Sequence, residues 1–293
     1  MPDNRTLHFI TVSYAPDVDR CRRLCESLDK YRNTSHCRHT IICPQRDLKL
    51  FDSLTGSHRK IMSYQQVLPK GYNQMPLFSK WWLDPGFFPV RGWIMQQLVK
   101  IAAASHSDEE YVIFADSDLV FCRSITAECF EENGAIRLLA KSLQPQDKDH
   151  SLWQRLSERL LWLTPQREFP NYVGQLMSWS PDVVRAMLAR IENNADKPWY
   201  KTLGRLLTFS EYTLYGNFAE HIYQGGVQHF LDDSPISLDL WSRDDVVRLK
   251  DQQLDLNQKM IAVLIQSNLR LNQREEGIAL QHALHMLQQR IKD

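Results

Sequence analysis

The sequence predicts an α/β domain on a mainly parallel sheet, followed by a helical C-terminal extension. Three observations predict it. Short apolar runs alternate with amphipathic segments over roughly the first 120 residues, the pattern of βαβ units. The stretch YVIFADSDLVF, residues 111–121, reads as an apolar strand, then Asp-Ser-Asp, then apolar residues again. The chain beyond residue 243 carries helical spacing. The domain is therefore placed at 1–242 and the extension at 243–293.

TLHFITVSY forms the first strand and ends before Pro16. DVDRCRRLCESLDKY sets Val18, Cys21, Leu24, Cys25 and Leu28 on one helical stripe. HTIIC and KIMSYQQVLP read as short strands stopped by Pro44 and Pro69. GWIMQQLVKIAAASHS reads as a helix, and YVIFA as the strand after it. AIRLLAKS is a further strand, SLWQRLSERLLWLTP an amphipathic helix ended by Pro165, and NYVGQLMSW again strand-like. In SPDVVRAMLARIENN, Ser180 takes the N-cap and Pro181 the first helical position, where its missing N–H costs nothing. Leu280, Ala283, Leu284, Leu287 and Ile291 share one face of the tail. Such a stripe usually packs on its own domain; dimerisation or membrane docking are the other uses.

Composition narrows the function. Hydrophobic residues make up 43% and charged residues 24%, and 35 Lys plus Arg balance 35 Asp plus Glu. No net field favours nucleic acid or an anionic membrane, so any polyanion site must be local. The start lacks the uninterrupted apolar core of a signal peptide, and no apolar run is long enough to span a bilayer. Any membrane association would be peripheral. Six cysteines without paired CxxC spacing point to reduced thiols and the cytoplasm. His36, Cys37, His39 and Cys43, with Cys21 and Cys25 upstream, offer zinc ligands but fit no common finger spacing, and buried thiols are the reading preferred.

The Asp pair carries the chemistry. In extended chain Asp116 and Asp118 would share a side, with Ser117 opposite. The carboxyl end of a parallel strand is where open α/β sheets bind ligands. Two carboxylates held together repel unless a cation sits near them, and Mg²⁺ or Mn²⁺ suits carboxylate and phosphate oxygens. Two enzyme classes use such a pair. A haloacid-dehalogenase-like phosphatase would use Asp116 as nucleophile, with Asp232 and Asp233 as its acidic pair, but needs a later Lys and an earlier motif. A nucleotide-sugar glycosyltransferase places the pair after a nucleotide-binding half, as here. On the helix before the pair, Trp93, Gln97 and Lys100 lie on one stripe. Lys100 on that stripe is a candidate to neutralise a diphosphate. Glu211 stands among aromatic residues in FSEYTLYGNFAEHIY, which favours a lined pocket, and His221 follows as a candidate metal ligand. The run LFSKWWLDPGFFPVRGW suits either a carbohydrate or the core under a loop.

RGWIMQQLVKI, YVIFADSDLVF, NYVGQLMSWSPDVVRAMLARIE and FSEYTLYGNF, in this order, resemble a bacterial family long labelled as of unknown function and grouped with GT-A-type glycosyltransferases. The resemblance covers roughly residues 5 to 240. It implies a GT-A fold, a DxD metal site, a nucleotide-diphospho-sugar donor and a role in cell-surface polysaccharide synthesis. On that reading Asp116, Asp118 and His221 hold Mn²⁺ or Mg²⁺, with Gln97 and Lys100 near the donor. Thr11 and Ser13 lie near the nucleotide, and Asn171 and Tyr172 line the sugar or acceptor site. Glu211 deprotonates the hydroxyl of a glycan or lipid-linked glycan acceptor. The alternatives are the phosphatase and a catalytically inactive relative that binds glycans or a protein partner.

Overall fold

The computed structural model describes residues 6–32, 36–76, 78, 80–143 and 148–289. Ile291 of the predicted tail stripe lies outside the described residues. The chain opens with β1 (Leu7–Val12), α1 (Val18–Tyr31), β2 (Cys37–Cys43), α2 (Leu48–Phe51), β3 (Arg59–Ser63) and α3 (Tyr64–Val67). A small antiparallel excursion follows: β4 (Asn73–Gln74), β5 (Trp81–Leu83) and β6 (Pro89–Arg91). Then come α4 (Gly92–Ser105), β7 (Val112–Phe114), β8 (Leu119–Phe121), β9 (Glu131–Glu132) and β10 (Ala135–Leu139). Next are α5 (Lys148–Leu161), β11 (Met177–Trp179), α6 (Pro181–Ala195), α7 (Trp199–Gly204) and α8 (Glu211–His221). The chain closes with β12 (His229–Asp232), β13 (Ser237–Leu240), α9 (Arg243–Lys250), β14 (Ala262–Ile265) and α10 (Gln273–Gln289).

The central sheet has the order β11-β7-β1-β2-β3. Its strands are parallel except β11, which runs antiparallel to β7. The mainly parallel α/β architecture read from the alternation is therefore present. Both faces are covered, which is why β1 and β2 are apolar along most of their length. One face packs α4, α6 and α8 through Ile94, Leu98, Val184, Met187 and Leu214. The other packs α1 through Leu24 and Leu28 against Phe9, Ile113 and Phe121. Cys21, Cys25 and Cys43 are buried in a smaller cluster with Ile41 and Phe51.

Three local expectations need correction. The tail is not a purely helical appendage. β14 sits between β13 and β8 in a three-stranded sheet, pairing parallel with one and antiparallel with the other. Its run AVLI is buried throughout, and a strand so apolar is stable only inside a sheet. KIMSYQQVLP is strand only as far as Ser63. Gln66 Oε1 then accepts the Ser63 N–H at 2.6 Å and starts a helical turn, half of an S-x-x-Q capping signature. Asp116 and Asp118 do not lie in extended chain: the Leu119 N–H donates to the Asp116 carbonyl at 3.1 Å and closes a turn. Among the described residues no helix is long and apolar enough to cross a membrane.

Candidate functional site

The Asp turn lies at the carboxyl end of β7, beside the end of β1, because parallel pairing of these strands sets their ends level. α4 runs in just before β7 and is apolar almost all round, with Ile94, Leu98, Val99 and Ile101 buried. Gln97 and Lys100 are the buried polar residues on that surface, and the Lys100 side chain is only 10% exposed. Its Nζ lies 3.1 Å from Asp116 Oδ1 and 3.2 Å from Glu211 Oε1, and donates to the Tyr212 hydroxyl at 2.8 Å. It also sits over the Tyr212 ring, 4.7 Å from the centroid. Burial alone would strip its proton, but Asp116, Tyr212 and Glu211 outweigh burial and hold its pKa well above the usual lysine value.

Each carboxylate around Lys100 has its own balance. Burial works to raise Asp116, yet the Lys100 charge and the Gln175 amide, which donates at 2.9 Å, bring its pKa below the usual range. Glu211 is buried more deeply, and there burial prevails over Lys100, so its pKa is raised. Glu211 opens α8, and its backbone N–H is taken by Gln97 Oε1 at 3.1 Å. At 33% exposure the Asp116 side chain faces solvent, while that of Glu211 at 7% does not.

Asp118 is differently placed. Its Oδ2 accepts the Ser267 N–H at 3.0 Å, just beyond β14. Among the described residues no cationic side chain comes within ion-pair distance of it. Burial, then the charge of Asp116, pushes its pKa up to about 7. Two further acids border this turn. Burial also raises Asp17, and Arg20 at 3.1 Å only partly offsets this. Asp239 on β13 is raised by burial to about 6. Lys100 is shared by Asp116 and Glu211, and among the described residues no group of three or more His, Cys, Asp or Glu side chains is placed to hold a metal ion.

The structure thus joins Asp116, Lys100, Gln97 and Glu211, with Asp118 nearby. Of the other expected site residues, Thr11, Ser13 and Tyr172 are buried. Thr11 is fully buried: its hydroxyl donates to the Ala115 carbonyl at 2.8 Å and lies 2.9 Å from His39 Nε2. Arg59 Nε donates to His39 Nδ1 at 2.9 Å, which fixes neutral His39 with its proton on Nε2. Burial, then Arg59, pushes the His39 pKa well below 6.5. Ser13 is also buried, its hydroxyl without a protein partner. Tyr172, expected to line a sugar site, is fully buried. Its ring is buried under α8, and its hydroxyl donates to Glu220 at 2.7 Å. Asn171 bridges Lys141 through the backbone and accepts the Val173 N–H at 2.8 Å.

His221 does not join the Asp pair. It is exposed at the far end of α8, ten residues from Glu211, which at 1.5 Å per residue is about 15 Å along the axis. Phe209, Tyr212 and Tyr215, the aromatic residues around Glu211, are core. Tyr215 stacks on Trp179 at 4.6 Å, and Trp179 meets Phe114 edge-on at 4.8 Å. Gln175, Ser267 and Asp17 were missed by sequence reasoning. For Gln175 a weak signal existed, an amide set in the apolar run VGQLM.

No curated protein matches the chain. The family of unknown function DUF6492 matches residues 7–282, including most of the tail beyond residue 240. A match of that extent, through the Asp turn, Lys100, Glu211 and the β14 segment that holds Asp118, settles membership: the chain belongs to the family of unknown function DUF6492.

Proposed function

We propose that the chain is a metal-dependent glycosyltransferase of GT-A type. It moves a sugar from a nucleotide-diphospho-sugar to a hydroxyl acceptor, a glycan or lipid-linked glycan, in bacterial cell-surface polysaccharide or glycoconjugate synthesis. One observation carries this reading, the unequal pairing of the two aspartates. Asp116 is engaged by Lys100 and Gln175, whereas Asp118 has a backbone N–H and a neighbouring carboxylate. A divalent cation relieves that repulsion. Mg²⁺ and Mn²⁺ commonly bind through one or two carboxylates plus substrate phosphates, so two aspartates are a sufficient protein share. Asp118 and the open edge of Asp116 would hold the ion, which when bound supplies Lewis-acid stabilisation of a leaving diphosphate.

The remaining residues have roles of their own. Lys100 divides its charge between Asp116 and Glu211, so it holds Asp116 ionised and fixed in direction rather than meeting the diphosphate. Glu211, with its raised pKa, is the carboxylate assigned to take the acceptor's proton. His221 has no part in this reading. The phosphatase alternative asks for a later Lys; the lysine at Asp116 precedes it in the chain, and Asp232 is bound by Arg137 at 2.8 Å.

The test is a thermal-shift panel of UDP, GDP, ADP, CMP and dTDP, each with Mn²⁺, Mg²⁺ or chelator. One nucleotide should raise the melting temperature with metal and not with chelator, and Asp118→Asn should lose that shift while folding normally. Wild-type affinity in Asp118→Asn with Mn²⁺ present would remove the metal site. Phosphate release from a simple monoester would move the assignment to the phosphatase.

A further inference from the structure

The hairpin of β5 and β6 displays rings that the core does not use. Trp82 points inward, 2% exposed and stacked on Tyr64 at 5.3 Å. Its neighbours point out: Phe87 is 83% exposed, Phe78 59%, Phe88 41% and Trp81 39%. Leu207, 78% exposed, joins them, since Arg91 Nη1 donates to the Leu207 carbonyl at 3.1 Å and ties that loop to the hairpin.

The tip is built rather than loose. Phe87 has a φ of 62°, a left-handed conformation that bulky residues rarely adopt. Asp84 holds it there. Its carboxylate accepts the Gly86 and Phe88 N–H groups at 2.7 and 2.8 Å, and its carbonyl accepts the Phe87 N–H at 2.9 Å. Asp84 itself is 3% exposed, so the one carboxylate of the hairpin is turned inward.

Charge completes the pattern. Lys80, Arg91 and Arg205 carry the charge beside these rings, and Asp84 is the sole acid of residues 78–91. The whole chain is neutral, so this is a local basic field. Arg205 lies over the Phe88 ring at 5.4 Å, setting a cation beside an exposed aromatic. Exposed rings rimmed by Lys and Arg match the interface of an anionic bilayer. There, rings sit at headgroup depth, and nearby cations are drawn to the anionic headgroups.

We propose that the β5–β6 hairpin, with the Leu207 loop, docks the protein on an anionic lipid surface by inserting Phe87 and Phe88. Trp93 begins the α4 stripe that ends at Lys100, so the docked surface lies about 10 Å along the helix from the Asp turn. The proposal stands whether or not the transferase reading does.

The experiment is flotation of the full chain with vesicles of phosphatidylcholine alone or mixed with phosphatidylglycerol, at low and high salt. The wild type should float with the mixed vesicles, weakly or not at all with the neutral ones, and less at high salt. Phe87→Ser with Phe88→Ser should weaken binding by roughly tenfold or more, from the lost burial of two rings. Lys80→Glu with Arg205→Glu should abolish the preference for anionic lipid; those side chains lie outside the core, so this pair carries the test should the serine pair misfold. Equal binding to both lipids, or a serine pair that floats like wild type, would overturn the proposal. So would a dimer, seen by light scattering, that the serine pair dissociates while vesicles bind nothing.

Discussion

Lys100 concentrates most of the local electrostatics in one atom. A lysine on a buried helix is tolerated because two carboxylates and a phenol surround its ammonium. Breaking a buried ion pair by removing one partner costs about 3–5 kcal/mol, since the other charges stay behind uncompensated. Lys100→Met should therefore lower stability by that order in chemical denaturation, and adding Glu211→Gln should recover part of it. Glu211→Gln alone should reduce glycosyl transfer by about 10²–10⁴-fold with nucleotide affinity nearly unchanged, measured on one preparation. Recovery of nothing in the double variant would mean the three groups do not share one charge balance. Asp116, Lys100 and Glu211 were legible because each is a charge in an apolar or aromatic run. Gln175 and Ser267 were not: they reach the Asp turn from 59 and 149 residues away, a relation no local pattern encodes.

At the level of elements, α8 shows how a motif divides between site and scaffold. Ser210 caps it, accepting the Thr213 N–H at 3.2 Å, and Glu211 faces Lys100. The glycine of EYTLYG has a packing reason. A β-carbon at Gly216 would fall inside the van der Waals surface of the Tyr172 ring. Gly216→Ala should destabilise by about 1–3 kcal/mol through overpacking, and less when Tyr172 is also made Leu. An unchanged melting temperature in Gly216→Ala would show that α8 is not held against that ring. The helices α1, α4 and α6 were readable from their apolar spacing and, for α6, from Ser-Pro at its start. β14 was hidden, because four apolar residues within a helix-rich tail look alike for either structure until β8 and β13 flank them.

Across the whole molecule, two sets of buried groups pull stability in opposite directions with pH. Burial lowers His8 and His229 to about 4, and His39 further below its usual value. The unfolded chain takes up these protons near 6.5 and the native protein does not, so histidines erode stability as pH falls from 6.5 towards 4. Asp118 and Asp239, raised to about 7 and about 6, act oppositely: the native protein binds their protons first and gains stability on acidification. The net slope should be shallow. His229→Gln removes one contributor of the first kind, so the lead of wild type over the variant should shrink below pH 6.5. The change is up to about 1.4 kcal/mol per pH unit, read from denaturation curves between pH 7 and 4.5. A constant difference across that range would mean that His229 titrates alike in the native and unfolded states.

The strand that binds Asp118 in place is made long after the turn itself. β8 lies at residues 119–121, but the partner it needs, β14, begins at Ala262 and separates it from β13. A growing chain therefore carries the Asp turn into solution with one side of its sheet missing, and closes that gap only after about 140 further residues have been made. Pairings of such long sequence separation are slow to form and expose a strand edge while they wait. The last strand of the central sheet, β11, is made long before the site can be finished. A ribosome stalled short of residue 262 would release a folded-looking but chemically incomplete body.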